Sequence, residues 1–139
     1  MKPSGELRNA VLQWYESESS GDVKAFEHLF SHQPGILFIR TDPEEWWSEY
    51  DAIQRVFIAQ LQELGPKIKI ISADLHAFVE GTVGWAADSA KLQLPNGQEI
   101  PIRSTMVFHR EDGEWKVVQH HASIGARNED VLGTNLTVK

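Results

Sequence analysis

Residues Ile100 to Ile124 read IPIRSTMVFHREDGEWKVVQHHASI, and this stretch decides the fold. Asp112-Gly113 separates two runs rich in β-branched and aromatic residues. It is a strong hairpin signal, because Gly accepts positive φ and Asp tolerates it. Polar residues recur inside both runs: Arg103, Thr105, Gln119, His120, His121 and Ser123. A purely structural sheet would carry apolar residues on its covered face, so the stretch predicts a sheet that lines a pocket.

The composition is that of one globular domain, residues 1–139, with 41% hydrophobic and 24% charged residues. A net charge of −7 argues against nucleic acid and against an anionic membrane surface as partners. The sequence has no cysteine, which excludes disulfides and thiolate chemistry. It shows neither a signal-like N-terminus nor an apolar run of about 20 residues, so we expect a cytoplasmic protein.

Helical periodicity predicts three helices in the first half of the chain. The first is expected from about Gly5 to Ser19 with Ser4 as its N-cap, and Asp22 caps a short second helix. The third is expected to begin with a capping box of Ser48 and Asp51 and to end at a Gly-Pro pair.

Alternating patterns predict the strands. Ile36 to Ile39 is expected to form a small strand, Lys67 to Val79 a long strand with a bulge or bend at Ile70-Ile71, and Thr82 to Leu94 the next. The hairpin of residues 100–124 completes a meander. The predicted fold class is therefore α+β, with three N-terminal helices packed on a strongly bent antiparallel sheet of four long strands plus one short strand. Such a sheet forms a cone with an open mouth.

Five short blocks carry a family resemblance: SGD at 20–22, DPEEWW at 42–47, GWA at 84–86, RST at 103–105 and DGEWKVVQHHAS at 112–123. Together they resemble the SnoaL-like branch of the nuclear transport factor 2 (NTF2)-like, or cystatin-like, superfamily. The last block also resembles the association domain of calcium/calmodulin-dependent kinase II, an oligomerising module. The resemblance implies an α+β cone and a homodimer packed sheet to sheet. Independently of it, residues 127–139 are expected to form a tail or a dimer arm.

The isomerases of this superfamily use a Tyr on the first helix and an Asp before a Pro. Asp42-Pro43 matches the second feature, whereas the first-helix position falls on Trp14, with Tyr15 beside it. No residue of this sequence evidently corresponds to the second, protonated Asp of the isomerase oxyanion hole. The resemblance therefore does not imply that this protein catalyses the isomerase reaction. Asp42 and His121 remain the catalytic candidates for acid–base chemistry.

The face that Arg103 shares with the last strand depends on the turn. A two-residue loop would pair Ser104 with His121 and place Arg103 on the opposite face, and a three-residue loop with a Gly bulge would pair Arg103 with His121. The second turn is preferred. Under it, one polar patch inside the cone contains Arg103, Thr105, Gln119, His121 and Ser123.

The predicted ligand-binding residues are Trp14, Trp47, Trp85, Arg103, Thr105 and His121. Arg103 is either an anchor for an anion or carbonyl or a salt-bridge partner, and Trp85 either contacts a ligand or fills the cone. No metal or other cofactor is expected, because His120 and His121 are adjacent and point to opposite faces of a strand. We expect a mostly apolar ligand with a carbonyl or anionic group. The alternatives are an acid–base enzyme of the ketosteroid isomerase, polyketide cyclase or hydrolase type, and a non-catalytic dimer scaffold.

Overall fold

The computed structural model describes residues 1–136, in which helices cover one side of a curved sheet. The helices are α1 (Gly5–Ser20), α2 (Val23–Leu29), α3 (Tyr50–Ala52), α4 (Ile58–Leu64) and α5 (Asn128–Leu132). A π-helical turn (Ile53–Phe57) joins α3 to α4, and a 3-10 turn (Gly65–Lys67) follows α4. The strands are β1 (Lys2–Pro3), β2 (Leu37–Ile39), β3 (Trp46–Trp47), β4 (Lys69–Ile71), β5 (His76–Glu80), β6 (Val83–Gln93), β7 (Glu99–Glu111) and β8 (Glu114–Ser123).

The strand order is β1-β5-β6-β7-β8-β2-β3, and β4 also pairs with β6. Neighbouring strands are antiparallel except β2 and β8, which are parallel. The predicted α+β cone is confirmed, with a mixed sheet rather than a wholly antiparallel one. The predicted third helix consists of α3, the π-helical turn and α4, and α5 is an additional short helix.

The first two helix caps are those predicted. The Ser4 hydroxyl accepts a hydrogen bond from the Leu7 amide at 3.1 Å, and the Asp22 carboxylate accepts one from the Ala25 amide at 3.1 Å. The N-cap of α3 is Glu49, which makes no side-chain cap, so the predicted capping box of the third helix is wrong. The turn that follows is π-helical, a form that often occurs at functional sites.

Close packing of α1 on the sheet depends on Gly84 in β6. A Cβ at this position would lie 2.7 Å from Leu7 Cδ2, closer than Cβ atoms come to other heavy atoms in folded proteins, so the Leu7 side chain would have to move. Leu7 is fully buried there. A glycine therefore lets α1 lie directly on β6, and α1 supplies one wall of the space beneath the sheet.

The long strand predicted over residues 67–79 is interrupted. Its two parts, β4 and β5, both pair with β6, and residues 72–75 leave the sheet between them. The Asp88 carboxylate accepts hydrogen bonds from the amides of Ala73 and Asp74, at 3.3 and 2.9 Å. These bonds satisfy backbone donors that the interrupted strand leaves without partners.

The terminal hairpin closes with a two-residue turn. Asp112 and Gly113 have φ values of 51° and 80°, and Glu111 pairs with Glu114 across them. The preferred three-residue turn is therefore wrong. A β-bulge lies further along β8 instead, because Phe108 pairs with Val117 while Val107 pairs with Gln119, which leaves Val118 as the extra residue.

This bulge decides which histidine points inward. Side chains alternate along a strand, so one extra residue reverses the faces of everything after it. Val117 lies on the inner face before the bulge, and His120 and Ala122 lie on it afterwards. The predicted polar patch does form, with Arg103 opposite Ser123 and Thr105 opposite His121. It lies on the exposed outer face, so the prediction that it faces the cone is wrong.

The predicted tail includes α5, whose Val131 and Leu132 are 66% and 60% exposed. The remainder of the predicted tail, residues 137–139, lies outside the described residues. Within residues 1–136, no helix has the length and apolar character needed to cross a membrane.

Candidate functional site

A cavity of about 770 Å³ opens between α4 and the inner face of the sheet. Its apolar lining includes Trp47, Phe57, Leu61, Ile70, Ile102 and Ala122. This volume suits a small organic molecule, and the mixture of apolar walls with a few polar groups is typical of ligand pockets.

Arg40, which directly follows β2, organises the polar wall of the cavity. Its Nη1 donates to Glu18 Oε1 at 2.8 Å and to His120 Nδ1 at 3.2 Å. Its guanidinium carbon lies 4.2 Å from the centre of the Phe57 ring, within cation–π range. The Arg40 and Glu18 side chains are 19% and 6% exposed. The wall therefore holds a mostly buried ion pair between α1 and the end of β2, and a hydrogen bond from Arg40 joins it to β8.

His120 is held in one protonation state and one tautomer. An arginine can only donate, so His120 Nδ1 accepts from Arg40 and the ring proton resides on Nε2. Nε2 lies 3.4 Å from the Ser104 hydroxyl, to which it donates. Burial, and then the adjacent Arg40 charge, lower the pKa of His120 well below its ordinary value of 6.5. His120 is therefore a neutral imidazole with partners on both nitrogens.

Tyr15 extends this polar wall toward β6. Its hydroxyl donates to Asp88 Oδ2 at 3.1 Å, and both side chains are buried. Burial, together with the Asp88 charge, raises the pKa of Tyr15. A phenol that already donates its hydrogen bond to a carboxylate is a weak acid, so Tyr15 is poorly suited to stabilise an oxyanion on a ligand.

Two of the predicted site residues lie at the cavity. Trp47 lines it and stacks on Phe57, with ring centres 5.7 Å apart. Asp42 lines it near the surface, and its Oδ1 accepts a hydrogen bond from the Glu44 amide at 2.9 Å. Trp14 is instead fully buried against Phe26, with ring centres 4.4 Å apart, and does not line the cavity.

The other predicted site residues lie on the outer face of the sheet. Trp85 stacks there on Phe78, with ring centres 6.3 Å apart, while its neighbours in β6 point toward the helices. Arg103, Thr105 and His121 are exposed on the same face. Within one chain, Asp42 lies at the cavity and His121 lies on the opposite face of the sheet, so the two catalytic candidates are not brought together. The prediction that Trp85 occupies the cone is wrong.

Sequence reasoning missed Glu18, Arg40, Ser104 and His120. A signal for Glu18 exists, because it continues the helical stripe of Leu7, Val11 and Trp14 on α1. A carboxylate on an apolar stripe indicates a buried polar site. His120 has no comparable signal, because its orientation depends on the bulge at Val118. Within residues 1–136, no cluster of three or more potential metal ligands is present.

A family model described as a SnoaL-like domain matches residues 7–127. No curated protein matches the sequence. Three similar solved structures carry different names. The first is a candidate ketosteroid isomerase from Shewanella frigidimarina, with 13% identity, a TM-score of 0.70, and coverage of 83% of this chain and 92% of that chain. A candidate dehydratase of the NTF2-like family from Streptomyces avermitilis has 16% identity, a TM-score of 0.71, and coverage of 86% and 94%. The third is a candidate calcium/calmodulin-dependent protein kinase II association domain from Xanthomonas campestris, with 16% identity, a TM-score of 0.67, and coverage of 90% and 95%. At these identities the likeness shows a shared fold and does not choose among functions.

Proposed function

The chain belongs to the family of SnoaL-like domains, and on that premise we propose that its cone binds a small, mostly apolar organic molecule carrying a carbonyl or hydroxyl oxygen. The observation that supports this proposal is the open cavity with the Glu18–Arg40–His120 cluster in its wall. Burying an ion pair costs desolvation energy that apolar packing would avoid, so a purely structural core gains little from one. A binding site, by contrast, needs a few fixed polar groups in an apolar pocket.

Arg40 is the group that would contact the ligand oxygen. Its two side-chain hydrogen bonds within the described residues both leave from Nη1, so Nε and Nη2 still carry N–H groups that can donate. Glu18 neutralises the guanidinium charge. A neutral acceptor therefore fits this site better than a carboxylate, which would also meet Glu18.

The proposal is tested with a variant that fills the cavity. Ala122 is buried and lines the cavity, so Ala122→Phe should place a ring in the ligand space. Thermal-shift screening of small ketones and alcohols should yield ligands of the unmodified protein that Ala122→Phe no longer binds. Ile124→Phe is the matched control, because Ile124 is 54% exposed and does not line the cavity. Ligands that bind Ala122→Phe as tightly as the control would contradict binding in the cone.

Acid–base catalysis is the second candidate function, and the position of Asp42 in the cavity lining favours it. A carboxylate there could remove a proton beside a ligand carbonyl that Arg40 polarises. The isomerase and dehydratase names of the structural neighbours are compatible with such chemistry. The test is proton–deuterium exchange at the α-carbon of 4-phenyl-2-butanone in D₂O, followed by NMR. If the protein accelerates the exchange and Asp42→Asn abolishes that acceleration, the result supports catalysis. If the protein does not accelerate the exchange, the result contradicts catalysis and leaves ligand binding as the proposed function.

The proposal includes a homodimer packed through the outer face of the sheet. Phe78, Trp85 and Val107 form a half-buried apolar patch there, beside the polar patch of Arg103 and His121. Association would cover this patch, since exposed apolar patches commonly mark interfaces. The scaffold alternative required Trp85 and Phe57 to fill the cone. Only Phe57 lines the cavity, which favours ligand binding over a purely structural role.

A further inference from the structure

Ser104 lies on the inner face of β7, where it is buried and lines the cavity. It stands directly opposite Asp88 of β6 in the sheet. The proposed function uses Arg40 as the donor to the ligand and His120 to hold Arg40, but it gives the Ser104 hydroxyl no role. The direction of the hydrogen bonds around this hydroxyl indicates one.

The hydrogen of the Ser104 hydroxyl is directed toward Tyr15. The Tyr15 hydroxyl donates to Asp88 Oδ2 at 3.1 Å, so the phenol oxygen is free to accept. Ser104 is a cross-strand neighbour of Asp88 and therefore lies beside this bond. Burial and then the Asp88 charge raise the pKa of Tyr15, whereas a hydrogen bond with Ser104 lowers it. A hydrogen bond that favours the phenolate is one that the phenol oxygen accepts, so Ser104 is its donor.

The oxygen of Ser104 still has one lone pair to offer. A serine hydroxyl has one hydrogen and two lone pairs. The hydrogen is given to Tyr15, and one lone pair accepts from His120 Nε2 at 3.4 Å. Because Ser104 lines the cavity, the second lone pair is an acceptor that a ligand can reach.

The polar wall therefore presents a donor and an acceptor on opposite sides of one imidazole ring. Arg40 Nη1 lies 3.2 Å from His120 Nδ1, and Ser104 Oγ lies 3.4 Å from His120 Nε2. The two contacts are separated by two hydrogen bonds and the width of the ring. A ligand that reaches both must carry an acceptor oxygen at one end, a hydrogen-bond donor at the other and a spacer between them.

From this arrangement we infer that Ser104 is a second polar contact of the ligand, and that the ligand is a hydroxy ketone. Arg40 donates to its carbonyl oxygen, and Ser104 accepts from its hydroxyl. Apolar lining residues such as Phe57 and Ile102 cover the carbon body. This inference rests on the proposed binding function and narrows its ligand class.

Three ketones that differ at one position test the inference: 4-(4-hydroxyphenyl)-2-butanone, 4-(4-methoxyphenyl)-2-butanone and 4-phenyl-2-butanone. All three offer the same carbonyl to Arg40, and only the first can donate to Ser104. Affinities are measured by calorimetry at pH 7, and location by shifts of the Ile102 and Ala122 amide signals in NMR spectra. We expect the hydroxyl probe to bind about threefold to tenfold more tightly than either of the others.

Substitutions of Ser104 test whether it is the acceptor. Ser104→Ala removes the acceptor, so the affinity ratio of the hydroxyl probe to the methoxy probe should fall to about one. The ratio is the readout because any disturbance of His120 affects both probes through their shared ketone. Ser104→Thr keeps a hydroxyl and should keep the preference. Ser31→Ala is the matched control, because Ser31 is buried but does not line the cavity, and it should also keep the preference.

Tyr15→Phe tests the direction of the hydrogen bonds. It removes the acceptor of the Ser104 hydrogen, and the hydroxyl can then donate to the methoxy oxygen. The methoxy probe should gain affinity, and the preference for the hydroxyl probe should fall to less than about threefold. Tyr50→Phe removes the hydroxyl of the other tyrosine, which does not line the cavity, and should leave the preference as it is.

The outcomes distinguish this inference from the proposed function. If the hydroxyl probe binds in the cavity no more tightly than the methoxy probe, the inference is overturned while the binding function stands. The same conclusion follows if the preference survives in Ser104→Ala or is unchanged in Tyr15→Phe. If none of the three probes shifts the Ile102 and Ala122 signals, both proposals are overturned.

Discussion

Replacement of Arg40 by methionine should destabilise the protein strongly. Glu18, with 6% of its side chain exposed, would lose its counter-charge, and removing one partner of a buried pair costs about 3–5 kcal/mol. His120 Nδ1 would also lose its donor, and Phe57 would lose its cation–π contact. These losses are not additive, and the 19% exposure of Arg40 provides some screening. We therefore expect a loss of about 3 kcal/mol in the free energy of unfolding.

The assay is urea denaturation of a double-mutant cycle formed by Arg40→Met and Glu18→Gln. Glu18→Gln keeps an acceptor for Arg40 while removing the negative charge, so it should cost less than Arg40→Met. The double variant buries neither charge, and its loss should fall short of the sum of the single losses by at least about 1.5 kcal/mol. A loss below about 1 kcal/mol for Arg40→Met, with unchanged m-values, would refute the reasoning, because that is the size expected of an exposed pair.

Three further predictions concern packing, pH and assembly. Phe57→Ala should cost about 3–5 kcal/mol in a thermal melt, because the ring is 3% exposed and packs on Phe26, Phe38 and Trp47, whereas Leu64→Ala at a 46% exposed position should cost far less. The pKa of His120 is lowered in the fold, so the unfolded chain binds the extra proton. Stability should therefore fall as pH drops below about 6.5, by up to about 1.4 kcal/mol per pH unit, and His120→Asn should lose this slope in denaturation curves compared with the unmodified protein. Light scattering should give the mass of a dimer at micromolar concentration and that of a monomer for Val107→Glu; a stable monomer before substitution would contradict the dimer.

Much of the fold could be predicted because its signals are local. The caps at Ser4 and Asp22 depend on residues three positions apart, and the place of the hairpin depends on the adjacent residues Asp112 and Gly113, although the preferred length of its turn is wrong. Once these helices and the hairpin form, only a few arrangements let the helices bury their apolar sides against the sheet. The short strands β1 and β3 were not predicted as strands, because two-residue strands show no periodicity and depend on distant partners.

The inner wall of the site was not predictable in the same way. Val117 and Val118 are both β-branched and apolar, so nothing in the sequence shows which is the extra residue of the bulge. An error of one residue exchanges the inner and outer faces of the last strand. This uncertainty exchanges His121 for His120 in the wall of the cavity. It does not explain the error at Arg103 and Thr105, because both lie on β7, whose alternation places Ser104 and Met106 inward. Arg40 was missed because it joins Glu18 and His120 only in the folded chain.

The bulge at Val118 places His120, rather than His121, in the polar wall of the cavity. Long-range ¹H–¹⁵N NMR spectra of the imidazole rings, recorded across a pH titration, test it directly. One ring should remain a neutral Nε2–H tautomer below pH 6.5, and its signal should disappear in His120→Asn and persist in His121→Asn. Loss of that signal in His121→Asn instead, or protonation of His120 near pH 6.5, would contradict the account.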